Sequence, residues 1–118
     1  MRILVCGGRS FKDKAWLEEV LGRFTGPGLV VIHGGAKGAD SLAAQWAKGH
    51  AEAVEFKADW VAYGTRAGII RNQRMLDEGK PDLVIAFPGG RGTADMVRRA
   101  KKFGVSILDL RDGSCARS

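Results

Sequence analysis

Three glycine-rich segments, each containing or followed by a basic residue, are the parts of this sequence best suited to bind a ligand. They are Gly7-Gly8-Arg9, Gly34-Gly35-Ala36-Lys37-Gly38-Ala39-Asp40 and Pro88-Gly89-Gly90-Arg91-Gly92-Thr93. Glycine lets backbone N–H groups approach a ligand closely, and a following helix N-terminus adds partial positive charge. For a single pair of glycines a tight strand-to-helix turn is the simpler explanation. Three such segments together predict a site for phosphate or another anion.

Other candidate residues lie beside these segments, and each has two interpretations. Asp40 could accept a hydrogen bond from a ribose hydroxyl, or it could cap its own helix. His33 could reach a ligand, or it could be a strand-terminal histidine with satisfied hydrogen bonds. Trp60 and Tyr63 could cover or stack on a base, or they could pack in the core. Cys6, His33 and His50 lack metal-ligand spacing, so we expect no metal site and no cofactor.

The elements that must position these residues follow from hydrophobic patterns. Apolar or β-branched runs predict five strands, at 2–6, 29–33, 53–57, 82–87 and 105–110. Helical patterns separate them: one capped by Asp13, then Asp40–Gly49, Thr65–Glu78 and Thr93–Phe103. We expect Thr93 to be the N-cap of the last helix and Gly104 its C′ residue.

This alternation of strands and helices predicts an α/β fold, a five-stranded parallel sheet with helices on both faces. With the strand order 3-2-1-4-5, the strand order reverses between strands one and four, where open α/β sheets bind ligands. All three glycine segments would then border one crevice. We expect a single domain over residues 1–110 and a C-terminal tail over 111–118.

Composition is compatible with this prediction and excludes several classes of protein. Seventeen of the 118 residues are glycine, without a collagen repeat, and the net charge of +6 favours anionic partners or simply solubility. No apolar run is long enough for a membrane span, and we expect no membrane partner. The two cysteines, Cys6 and Cys115, form no disulfide framework, so we expect a cytoplasmic protein.

The predicted helix at 65–78 carries two further candidates. Asn72 projects between Met75 and Leu76 on the apolar side, so we expect it to be buried and hydrogen-bonded. Arg71 and Arg74 lie on the opposite side, where they could form a solvated basic face or bind an anion. Neither the G-x-G-x-x-G dinucleotide motif nor the G-x-x-x-x-G-K-[ST] motif of P-loop proteins occurs in this chain.

Three motifs together resemble the SLOG superfamily, and in particular its small YspA/YpsA-related branch. These are the segment from Gly34 to Asp40, the Ala67-Gly68-x-x-Arg71-Asn72-x-x-Met75 helix, and Pro-Gly-Gly-x-Gly-Thr at 88–93. The resemblance extends from Met1 to about Leu110. It implies a Rossmann-like sensor or enzyme for nucleotides or nucleotide-derived ligands, and it implies a homo-oligomer, such as a homodimer.

Two relatives define alternative functions. The motif at 88–93 is similar to that of the LONELY GUY phosphoribohydrolases, which cleave the N-glycosidic bond of nucleoside monophosphates. Arg71 matches their helix arginine, but Asn72 replaces their lysine and Met96 replaces their catalytic glutamate. Asp95 lies one residue early and could serve only if the loop re-aims it. The second relative is the DNA-processing protein A family, whose similar loop helps bind single-stranded DNA.

We therefore expect a domain that binds a nucleotide or nucleotide-derived ligand. Phosphoribohydrolase activity is the first alternative, with Arg71 and Asp95 as candidate catalytic residues, and binding of single-stranded nucleic acid is the second. The expected ligand-binding residues come from the three glycine segments and the arginine helix: Gly7, Gly8, Arg9, Gly34, Gly35, Lys37, Gly38, Asp40, Arg71, Asn72, Pro88, Gly89, Gly90, Arg91, Gly92 and Thr93.

Overall fold

The structure, a computed structural model, describes residues 1–112, so the predicted tail beyond Asp112, including Cys115, lies outside the described residues. It contains five strands, β1 to β5: Arg2–Cys6, Val30–His33, Glu52–Glu55, Leu83–Ala86 and Ser106–Asp109. It also contains five α-helices, α1 to α5: Lys14–Gly22, Ala39–Ala47, Trp60–Tyr63, Ala67–Asp77 and Arg91–Phe103. A 3₁₀ turn over Gly64–Arg66 joins α3 to α4.

All five strands are parallel and follow the order β3-β2-β1-β4-β5, which confirms the predicted sheet. The central strand β1 pairs with β2 on one side and β4 on the other, with Cys6 opposite Ala86 at the carboxyl end. Consecutive residues of a strand point to opposite faces of the sheet. A buried strand such as β1 therefore contributes apolar side chains to two separate cores.

Each face of the sheet is covered by helices. Ile3 and Val5 pack in a core with the buried side chains of α1 and α2, such as Leu17 and Trp46. Leu4 and the other residues of the second core pack against α4 and α5. The architecture is therefore the three-layer, Rossmann-like arrangement that the sequence predicts. Within residues 1–112, no helix combines the length and the apolar character needed to cross a membrane.

The helix boundaries follow the predictions in outline and correct them in detail. Asp13 caps α1 as predicted, since its side chain accepts a hydrogen bond from the Trp16 amide at 3.1 Å. Gly104 ends α5 in the left-handed conformation, also as predicted. The prediction that Thr93 caps α5 is wrong, because the helix already begins at Arg91 after Gly90.

The predicted start of the third helix is also displaced. The α-helix begins at Ala67 rather than Thr65, because residues 64–66 adopt the tighter 3₁₀ geometry. A four-residue helix, α3, precedes that turn, and the Asp59 side chain caps it by accepting from the Ala62 amide at 3.0 Å. One turn of helix is too short to produce a recognisable hydrophobic period. A helix as short as α3 is therefore not recognisable from its hydrophobic pattern.

Candidate functional site

The loops that follow β1, β2 and β4 meet at one edge of the sheet and are joined by backbone hydrogen bonds. The Gly8 amide donates to the Pro88 carbonyl at 2.9 Å, which connects the first loop to the third. The Ala39 amide donates to the Gly8 carbonyl at 3.3 Å, which connects the second loop to the first. Because strand order reverses between β1 and β4, these contacts form at the topological switch point of the sheet.

Several glycines are required here by the close approach of the loops. A Cβ atom at Gly7 would lie 2.6 Å from Cβ of Ala39, and one at Gly8 would lie 2.9 Å from Cα of Gly89. Gly38 has a φ of +81°, and a Cβ there would collide with the Gly8 carbonyl oxygen. These glycines have a structural role, because they allow three loops to pack into one continuous edge.

The edge encloses a main crevice of about 460 Å³ between the first loop, the start of α2, helix α4 and the start of α5. Two further cavities adjoin it. A basic lobe of about 380 Å³ lies along residues 34–37 and the end of β3, and an aromatic lobe of about 730 Å³ lies beside Phe11 and Trp16. Arg9 lines all three cavities and is therefore at their junction.

Most of the residues expected to bind the ligand line one of these cavities. The main crevice is lined by ten of them: Gly7, Gly8, Arg9, Asp40, Arg71, Asn72, Gly90, Arg91, Gly92 and Thr93. The basic lobe adds Gly34, Gly35 and Lys37, and the aromatic lobe adds Pro88 and Gly89. Gly38 and Asp95 line none of the three cavities.

Arg71 extends from α4 across the carboxyl end of the sheet. Its Nη1 donates to the Gly34 carbonyl at 2.7 Å, and its Nε donates to Oδ1 of Asn72 at 3.3 Å. A Cβ at Gly34 would overlap the guanidinium, so glycine at that position makes room for Arg71. Burial lowers the pKa of Arg71, the Asp40 carboxylate opposes this shift, and the charge of Arg9 adds to it. Arg71 is therefore a preorganised cation close to a second one.

Asp40 holds the second loop in shape. Its Oδ2 accepts hydrogen bonds from the Gly34 amide at 3.0 Å and from the Ala36 amide at 3.3 Å. Burial raises the pKa of Asp40, although the two amides and the nearby Arg71 and His33 act in the opposite direction. Asp40 is the one carboxylate that lines the main crevice among the described residues. Part of its hydrogen-bonding capacity is already used by the loop.

His33, His50 and Cys6 each have contacts within the fold. Nδ1 of His33 accepts from the Gly35 amide at 3.0 Å, which makes it a buried histidine with a satisfied ring nitrogen. His50 stacks on Trp46 at a centroid distance of 4.5 Å. Cys6 lies on the crevice floor, and burial raises the pKa of its thiol, which suppresses the nucleophilic thiolate. Residues 1–112 contain no cluster of three or more His, Cys, Asp or Glu residues that could hold a metal ion.

Asn72, which lines the main crevice, forms a buried polar pair with Asp95. Nδ2 of Asn72 donates to Oδ2 of Asp95 at 3.0 Å and to the Gly92 carbonyl at 3.2 Å, which confirms the predicted buried and bonded asparagine. Asp95 also pairs with Arg98 at 2.5 Å and with Arg99 at 2.8 Å. The pair therefore fixes the first turn of α5 against α4.

The start of α5 has unused hydrogen-bond donors. Within residues 1–112, the amides of Arg91, Gly92 and Thr93 have no acceptor, as is usual for the first turn of a helix. Gly92 differs from the other glycines of the three segments, because a Cβ there would meet no atom within 4 Å and its backbone is helical. A Cβ at Gly90 would also meet no atom within 4 Å, but its backbone angles, φ −101° and ψ −141°, lie outside the regions that other residues favour. Of these two glycines, only Gly92 is required neither by packing nor by backbone conformation.

Two comparisons with known proteins bear on the family of this chain. The family model described as the YspA, cpYpsA-related SLOG family matches residues 1–63. The gene 61 protein of Mycobacterium phage D29 is 37% identical over 122 aligned residues, covering 94% of this chain and 97% of the phage protein. The chain belongs to this SLOG family. Membership suggests a nucleotide-related, Rossmann-like function, and the name of the phage protein specifies no activity.

Two features of this SLOG domain bear on the phosphoribohydrolase alternative. Met96, the α5 residue at the position of the glutamate in that motif, is fully buried in the core between the sheet and helices α4 and α5. Asp95, the neighbouring carboxylate, is 5% exposed, and both of its oxygens are already bonded. Neither side chain lines the main crevice of this SLOG domain.

Other residues of the SLOG crevice were missed by the sequence analysis. Gly68, the second residue of α4, lines the main crevice, and a Cβ there would meet only ordinary contacts, the nearest 3.7 Å away on Trp60. Glu55 and Lys57 line the basic lobe. The sequence does carry a signal that Gly68 has a special role, because glycine is unfavourable inside a helix. Gly68 is the second residue of α4, as Gly92 is of α5.

Proposed function

We propose that this domain binds a nucleotide or nucleotide-derived ligand, with a phosphate group against the amides at the start of α5. The observation that carries the proposal is Gly92. Nothing within the described residues requires glycine at this position, where it reduces the stability of the helix. A ligand that must approach the backbone closely explains a glycine there.

The charges around the crevice support an anionic group. Arg9, Arg71 and Arg91 line it, and Arg9 and Arg91 make no ion pair among residues 1–112. Arg71 donates no hydrogen bond to a carboxylate of the described residues. A phosphate could accept from these guanidinium groups and from the helix amides together, and charge-assisted hydrogen bonds of this kind are strong. Asp40 is the candidate partner for a sugar hydroxyl.

Trp60 is the candidate stacking surface for a base. It lines both the main crevice and the basic lobe, and 51% of its surface is exposed. The other two tryptophans, Trp16 and Trp46, are buried. An aromatic ring at the rim of an anion site can stack on a purine or pyrimidine.

Isothermal titration calorimetry with a panel of nucleoside monophosphates and signalling nucleotides tests the proposal. We expect saturable binding to at least one nucleotide, accompanied by a change in tryptophan fluorescence that a Trp60→Phe variant abolishes. Absence of binding at millimolar concentrations, in protein shown to be folded by circular dichroism, would contradict the proposal.

Hydrolysis is the second candidate, favoured by the match of Arg71 and of the segment 88–93 to the phosphoribohydrolase pattern. Such cleavage develops positive charge on the sugar and needs a carboxylate beside it. In the part of the chain that the structure describes, Asp40 is the one carboxylate that lines the main crevice, so the chemistry would depend on it. Incubation with nucleoside monophosphates, followed by chromatography for free base, decides between binding alone and cleavage. Release of base by the wild type and not by Asp40→Asn would establish the enzyme.

A further inference from the structure

The basic lobe is a second cavity that continues from the main crevice. Arg9, Trp60 and Arg71 line both, so these residues form the common boundary of two adjoining cavities. The lobe is also lined by Lys37, from the second glycine loop, and by Lys57, which follows β3. One ligand could therefore occupy both cavities at once.

The charge of this lobe exceeds what its own carboxylate can neutralise. Glu55 is the acidic residue among its described lining residues, and its Oε2 lies 3.8 Å from Nζ of Lys57. Arg9 and Lys37 make no ion pair in the part of the chain that the structure describes. Three cations, Arg9, Lys37 and Arg71, thus surround the lobe without a bonded carboxylate. Clustering like charges in a cleft raises the local concentration of an oppositely charged ligand.

The position of Arg71 links this lobe to the phosphate site of the proposed function. Its hydrogen bond to the Gly34 carbonyl holds the guanidinium at the boundary between the two cavities. The missing Cβ of Gly34 provides the space that it occupies. A guanidinium has five N–H donors, and only two of its three nitrogens donate to residues within 1–112. It can therefore contact anionic groups on either side.

We propose that the basic lobe binds a second phosphoryl group, so that the ligand is a nucleotide with two phosphates rather than one. This inference rests on the proposed function, which places the first phosphate at the start of α5. The second phosphate would be contacted by Lys37 and Lys57, with Arg9 and Arg71 between the two groups. Because the two cavities adjoin, the phosphates could be joined as a 5′-diphosphate or separated by the ribose as a 3′,5′-bisphosphate.

The test compares the dissociation constants of three ligand sets at 0.15 M salt. They are nucleoside 5′-monophosphates, the matching 5′-diphosphates and the matching 3′,5′-bisphosphates. We expect at least one doubly phosphorylated set to bind about tenfold more tightly than the monophosphates, as one additional charge-assisted contact would provide. In the double variant Lys37→Ala/Lys57→Ala this ratio should fall below about threefold.

A matched control separates a specific site from the general attraction of a basic protein. The double variant Lys48→Ala/Lys102→Ala removes the same charge from positions near the C-terminal ends of α2 and α5, whose N-termini face the crevice. The control should retain the full preference for two phosphates. Equal loss of the preference in both double variants would overturn the inference.

The remaining outcomes distinguish this inference from the proposed function. Equal affinity for one and two phosphates in the wild type overturns the inference and leaves nucleotide binding supported. A preference that survives in Lys37→Ala/Lys57→Ala also overturns it. The protein could bind an oligothymidylate and show no higher affinity for a mononucleotide with a second phosphate. That result overturns the inference in favour of a single-stranded nucleic acid as the ligand. Failure of every nucleotide to bind contradicts the proposed function itself.

Discussion

Replacement of Gly92 by alanine should make the protein more stable and a poorer binder. Gly92 is the second residue of α5, has no positive φ, and has open space where the Cβ would stand. Glycine is about 1 kcal/mol less favourable than alanine inside a helix, and we take about 0.5 kcal/mol for this first-turn position. For a domain of this size that gain raises the melting temperature by about 2 °C.

The same methyl group would project where we place the ligand phosphate. Loss of one hydrogen bond to a charged group costs about 1.5–3 kcal/mol, which corresponds to an affinity roughly 10- to 100-fold weaker. Thermal denaturation measures the first effect, and calorimetric titration with the best nucleotide measures the second. Opposite changes in stability and affinity are the expected signature.

Gly22→Ala is the matched control for this experiment. Gly22 is the last residue of α1, where a Cβ would also meet no atom within 4 Å, and it lines none of the three cavities. This variant should gain stability in the same direction and keep the wild-type affinity. Unchanged affinity in Gly92→Ala, or a loss of affinity as large in Gly22→Ala, would refute the assignment of the phosphate to the start of α5.

Three other substitutions test the crevice and its supports. Arg71→Lys should weaken nucleotide binding at least tenfold by titration, because the guanidinium contacts Asn72 and Gly34 through two different nitrogens and a single ammonium nitrogen cannot reproduce that geometry. The pKa of Asp40 is raised in the folded protein, so the folded protein keeps a proton on this carboxyl that the unfolded chain releases near pH 3.8. The free energy of unfolding therefore falls as the pH rises above that value. Asp40→Asn should reduce that loss in urea-unfolding curves collected between about pH 3.5 and 6, and an identical pH dependence would contradict the assigned shift. Asp95→Ala should lower the free energy of unfolding by about 2 kcal/mol, since the buried Asn72 amide loses an acceptor; a change below about 0.5 kcal/mol would contradict the structural role of this pair.

The strand order and the convergence of the glycine loops could be predicted because both follow from simple periodic patterns. Continuous apolar runs such as Val30–His33 indicate strands buried on both faces, and helices between parallel strands restrict the topology. The crevice then follows from the rule that ligands bind at the switch point. These inferences need no knowledge of individual side-chain contacts.

The details that the sequence did not reveal depend on contacts between distant residues. Thr93 has the local character of an N-cap, but Gly89 packs against the first loop and the helix begins two residues before the threonine. Asp95 has the sequence position of a candidate catalytic carboxylate, and its bonds to Asn72 and to the arginines of its own helix are contacts that the sequence pattern does not show. Lys57 lies within the predicted strand 53–57, but β3 ends at Glu55, and Lys57 therefore follows the strand and lines the basic lobe.

Amide chemical shifts during a nucleotide titration test the central proposal most directly. In ¹⁵N-labelled protein, we expect the amides of Arg91, Gly92 and Thr93 to show the largest shifts, because a phosphate would accept hydrogen bonds from them. The amide of Gly22, at the far end of α1, should not move. Saturating nucleotide that leaves the signals of residues 91–93 unchanged would contradict the proposed phosphate site.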